Sequence, residues 1–113
     1  MMIKETMNWD EFILRASKYF SVMATFEFLM FLVGIQELGS GFKPFSKQEK
    51  TDLIALAQCK LLSMSNMMVY TGQDPEGWPL YQKGADYKKL SKSETDYLLR
   101  KMLITYFQNE ISI

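Results

Sequence analysis

Glu27 is the residue of this chain whose setting most invites unusual chemistry. It carries the one formal charge in the run Tyr19–Ile35, YFSVMATFEFLMFLVGI, which also holds five aromatic rings. An ionised carboxylate inside an apolar core must be paired, hydrogen-bonded or protonated. Arg15 and Arg100 are the two arginines of the chain, and Arg100 or Lys60 from a neighbouring helix is the expected partner. Failing such a partner it would be exposed at a helix end; if it faced an internal cavity instead, it would be a ligand-binding or proton-handling group. Glu37 follows ten residues later, roughly 80° round and ~15 Å along one helix, so the two carboxylates cannot form a dyad.

A second candidate lies in MMVYTGQDPEGWPLYQKGADYKKL. Trp78, Tyr81 and Tyr87 each join a large apolar surface to a polar handle. They line a pocket or an interface, or they cap one end of a helical core. Gly34 is a third position of interest, because a glycine inside a helix costs ~1 kcal/mol against alanine. Its use would be close approach of another backbone, from an adjacent helix or a second copy of the chain.

Composition removes many chemistries. There is no histidine, so Ser–His triads, Cys–His dyads and the usual zinc sites are out of reach. The one cysteine, Cys59, sits in the apolar helical pattern ALAQCKLL and reads as a small buried hydrophobe. A lone cysteine cannot form an internal disulfide, which suits a reducing cytoplasm. No catalytic residue, cofactor or metal site is expected, and the sequence assigns no activity. Lys plus Arg and Asp plus Glu are both 13, so nothing in the net charge points to nucleic acid. A neutral chain that is 48% hydrophobic has little long-range repulsion to oppose self-association.

Three helix starts position these residues. Asn8 with Glu11, Ser46 with Glu49 and Ser91 with Glu94 each have the spacing of a capping box. Phe45 and Leu90 stand just before the second and third as possible hydrophobic staples. From Asn8 no Gly or Pro intervenes until Gly34, and Gly39 and Gly41 supply the stop after Leu38. A continuous helix over 9–38 would be ~45 Å long, so a bend or break is expected near Ser17–Ser21. Its first half is amphipathic, with Asn8, Glu11, Arg15 and Lys18 on one stripe, and its second half is apolar nearly all round. Helices over Lys47–Ser65 and Lys92–Asn109 follow, the latter with an Asp96–Arg100 pair of favourable polarity. The terminal EISI is expected to be frayed or loosely docked, and MMIKETMNW lacks the features of a signal peptide.

Between the last two helices, Met68–Thr71 and Trp78–Gln82 predict a small hairpin. Asp74-Pro75 starts its turn, Gly77 takes positive φ, and Pro79 is tolerated on an edge strand. The apolar run falls a little short of the ~20 residues of a membrane span and has a carboxylate near its middle, so a buried helix is preferred to a bilayer.

Two blocks, FLVGIQELGSGFKPFSKQEKTDL (31–53) and DPEGWPLY (74–81), the latter followed by a helix containing ITYF, resemble a group of small uncharacterised bacterial proteins of similar length. The resemblance implies a cytoplasmic, soluble, single-domain protein and transfers no site. The expected architecture is mainly α, one domain over 1–113, with three or four helices bundled around helix 20–38 and a hairpin or ordered loop near 67–83. The expected role is a non-catalytic interaction module that forms a homo-oligomer. The alternative is a small-ligand binder or minor enzyme with its pocket near Trp78, Tyr81 and Glu27. The candidate binding or interface residues are therefore Glu27, Gly34, Trp78, Tyr81 and Arg100.

Overall fold

Local sequence signals set the element boundaries. In the computed structural model, which describes residues 7–111, Asn8 Oδ1 accepts the Glu11 N–H at 2.8 Å and opens helix α1, Trp9–Phe20. The Glu11 side chain does not close the box, because it pairs with Arg15 at 2.7 Å instead. At Ser46 and Ser91 the boxes close fully, with serine and glutamate bonds of 2.9–3.1 Å. They begin α3, Lys47–Ser63, and α4, Lys92–Ile111. The α3 helix stops two residues before the expected Ser65, and α4 runs on through Ile111. Of the terminal EISI, Glu110 and Ile111 are thus helical, while Ser112 and Ile113, like residues 1–6, lie outside the described residues.

The break expected near Ser17–Ser21 falls at Ser21 and divides residues 9–38 into two helices. Ser21 adopts the left-handed conformation (φ 57°, ψ 38°), and its N–H and that of Val22 donate to the Lys18 and Ser17 carbonyls, ending α1. Four residues after Ser21, Thr25 accepts the Phe28 N–H at 3.1 Å and starts α2, Phe26–Leu38. The centre of the fold is therefore not a helix over 20–38. Phe20 belongs to α1, and residues 21–25 form a connector braced by the Ala24 N–H on Ser17 Oγ at 2.9 Å. An unbroken helix over 9–38 would be ~45 Å long, about the whole length of the molecule, whose longest dimension is 44 Å.

Strands β1, Met68–Gln73, and β2, Pro79–Lys83, pair antiparallel with Tyr70 opposite Tyr81. A bulge falls between Tyr70 and Gly72. Asp74 organises the turn by accepting the Glu76 and Trp78 N–H groups at 2.9 and 2.8 Å, with Gly77 at φ 91°.

The chain is predominantly helical, with α2 packed most closely on α3. A Cβ placed on Gly34 would lie 2.7 Å from the Leu53 carbonyl carbon and 2.9 Å from Leu53 Cβ, closer still to its oxygen. Gly34 is thus the point where the two backbones meet within one chain. Phe12, Leu29, Met30, Val33, Leu53, Leu61 and Leu103 are the fully enclosed side chains. No helix among the described residues is long and apolar enough to cross a membrane.

Candidate functional site

The most heavily connected polar group of the described residues is Glu37, half-buried in the last turn of α2. That is a poor place for a carboxylate, because the helix end already carries partial negative charge. Two side chains offset this. The Tyr106 hydroxyl donates to Glu37 Oε2 at 2.9 Å, and Lys60 Nζ stands 3.9 Å from Oε1. Tyr106 is 4% exposed, so its hydroxyl needs a protein partner. Burial, the hydrogen bond to Glu37 and the nearby negative charge all push its pKa far above the usual phenol range. It therefore stays protonated and donates. Tyr81 is shifted the same way, first by burial and then by the Glu37 charge.

These contacts join the end of α2 to α3 and α4 and bring the hairpin against them. The arrangement locks elements together; it does not assemble a reactive centre. Among the described residues no three His, Cys, Asp or Glu side chains are grouped to hold a metal ion. Burial also raises the Cys59 pKa, which keeps it a thiol.

Beside Tyr106 lies a half-open groove of about 300 Å³, at the small end of the ~300–1,000 Å³ range of ligand pockets. Tyr19 and Phe20 at the end of α1 form one wall, and Phe107 and Ile111 of α4 the other. Leu32 and Ile35 of α2 make the floor, with Gln36 and Glu110 at the polar margin. The floor exists because α2 is apolar on nearly every side while its Leu29, Met30, Val33 and Gly34 face is the one fully buried.

The positions singled out from sequence do not converge. Glu27 is exposed in the first turn of α2, where a carboxylate suits the positive end of the helix dipole. The expectation of a buried carboxylate paired with Arg100 or Lys60 is overturned, since the connector places Glu27 at a helix start and not mid-helix. Lys60 pairs with Glu37 instead. Arg100 lies over the Trp9 and Phe26 rings, 5.3 and 5.9 Å from their centroids, and the two ion pairs of the described residues include neither it nor Asp96. Trp78 is half-buried in the hairpin turn, and Tyr81 meets Tyr70 across the strands at 5.9 Å. Tyr81 thus neighbours the Glu37 end of α2, ~15 Å along the helix from Glu27. The best-formed hollows of the described residues are not lined by Trp78, Tyr81 or Glu27.

Sequence reasoning missed Glu37 and the groove. A signal for Glu37 was present: Met30, Val33, Gly34 and Glu37 follow the 3–4 spacing of one helix face, so this carboxylate continues the buried stripe. The groove had no such signal, because its walls come from three helices. No protein-family model, no curated protein and no solved structure matches this chain.

Proposed function

We propose that this protein acts through protein–protein contact and not through catalysis, as a homo-oligomer in which a second copy covers the groove between α1, α2 and α4. The observation that carries the reading is the incomplete cover of α2, whose Leu32 and Ile35 open into the groove. Tyr19 beside it is 58% exposed, and Val22 and Met23 follow in the connector at 44% and 88%. A second copy suits this surface because the chain's net charge is zero and offers no repulsion to self-association. In this reading the helices form a small bundle gathered on α2, and a reducing cytoplasm suits the free thiol of Cys59. The alternative, a small ligand held by Trp78, Tyr81 and Glu27, draws no support, because Trp78 and Tyr81 belong to the hairpin and Tyr81 neighbours the end of α2 opposite Glu27.

Sedimentation velocity from low to high micromolar concentration tests the proposal. The wild-type chain is expected to associate, and Tyr19→Glu is expected to keep the fold and stay monomeric. A wild-type chain that remains monomeric throughout refutes it.

A further inference from the structure

The connector between α1 and α2 has an unusual combination of features. Its left-handed residue is Ser21, not the glycine that such a helix ending normally takes. The cap is otherwise complete, with Val22 N–H on the Ser17 carbonyl at 3.2 Å and Ser21 N–H on the Lys18 carbonyl at 3.4 Å. A side chain in this conformation is strained relative to the right-handed helix. Nothing in Ser21-Val22-Met23-Ala24-Thr25 forbids a helix, for it contains neither glycine nor proline. The apolar pattern on either side reads as one helix over 9–38. The same five residues also expose Val22 and Met23, the latter at 88%, although both are apolar.

From this we infer that a second copy of the chain can supply α1: the connector straightens into helix, and α1 of each copy docks on the α2 and α4 of the other. The inference rests on the homo-oligomer reading above and puts exchange of α1, in place of cover of the groove, as the way that oligomer is built. The contacts needed are those that α1 already makes. Phe12 and Phe20 meet Phe107 at 5.9 and 6.1 Å, Phe20 meets Phe28 at 6.1 Å, and Trp9 meets Phe26 at 6.2 Å under Arg100. An identical α1 from a second copy makes each of them again, so exchange keeps these aromatic contacts, gives up the Ala24 N–H bond to Ser17 Oγ and the Thr25 cap, and releases the strain at Ser21. The straightened connectors run past each other near the two-fold axis, where Val22 and Met23 face one another and lose water. Tyr19 and Phe20 then reach the groove from the second copy, so each groove is built from two chains.

Ser21 variants of the full chain test this against ordinary surface association. Ser21→Gly eases the left-handed turn and weakens the straight helix, whereas Ser21→Ala does the reverse. Dimer dissociation constants measured by sedimentation are expected to differ by about tenfold per connector, roughly a hundredfold for the pair of connectors, with Ala the tighter. Amide exchange over residues 21–25 is expected to slow in the wild-type dimer. Met23→Glu, at a site exposed in the single chain, is expected to leave the monomer folded and abolish the dimer. Equal dissociation constants for the two Ser21 variants overturn the exchange of α1 while leaving groove-mediated association standing. Monomers in every variant and in the wild type overturn both.

Discussion

Gly34→Ala is the sharpest test of how α2 and α3 are held together. The added Cβ would sit 2.7 Å from the Leu53 carbonyl carbon and closer to its oxygen, against the ~3.5–4.0 Å of a comfortable contact between carbon atoms. The obstacle is backbone, so no rotamer change relieves it and the helices must part by roughly an ångström. Val33 and Met30 on one side and Leu53, Leu56 and Ala57 on the other are buried, so separation opens the core. Overpacking of this kind costs ~1–3 kcal/mol, and backbone contact places this site at the upper end. Alanine recovers ~1 kcal/mol in helix propensity. The net expectation is a loss of about 2 kcal/mol. For a chain of this size that is a fall of roughly 8 °C in Tm. Urea unfolding followed by the fluorescence of Trp9 and Trp78 measures it. Gly39→Ala is the control, with φ 77° and no heavy atom near a new Cβ, and it should lose ~1–2 kcal/mol through backbone strain alone. A Gly34→Ala protein as stable as wild type would refute the close approach of the two backbones.

Two further substitutions probe the polar joints. Tyr106→Phe removes the donor to Glu37 and should cost ~1.5–3 kcal/mol, the value of a hydrogen bond to a charged partner. Because the Tyr106 pKa is raised in the folded state, its contribution is complete below the ordinary tyrosine pKa of ~10 and declines as pH rises above it. Wild-type stability should therefore fall more steeply than that of Tyr106→Phe as pH rises above ~10, by denaturant midpoint; parallel curves would contradict the assignment. Arg100→Lys keeps the charge but loses the planar group over Trp9 and Phe26, and should cost ~0.5–1 kcal/mol. The accompanying change in Trp9 fluorescence reports on it, and an unchanged spectrum with unchanged stability would show that the stacking contributes nothing.

The helix starts were legible because capping is a local exchange of hydrogen bonds. Ser46 with Glu49 and Ser91 with Glu94 carry their partners three residues away, and both boxes close. The hairpin was legible for the same reason, since Asp74 and Gly77 meet the turn's needs within five residues. The close approach at Gly34 could be anticipated in kind, because a glycine in mid-helix has few other uses. Which backbone approached it could not.

Glu27 shows where the linear reading failed. Its significance depended on being mid-helix in an apolar run, and that run is interrupted by a left-handed serine and a threonine cap that composition does not advertise. Once α2 starts at Phe26, Glu27 is an ordinary first-turn acid and Glu37 becomes the carboxylate that must be satisfied. Sequence by itself determined the helical character, the two closed capping boxes, the hairpin and the exclusion of histidine chemistry, all of which are fixed by residue type or by neighbours within a few positions. Tertiary structure alone decided the bond from Tyr106 to Glu37 across 69 residues of sequence and the groove walled by α1 and α4. Each of those depends on how separate helices share limited space, and no local preference encodes that.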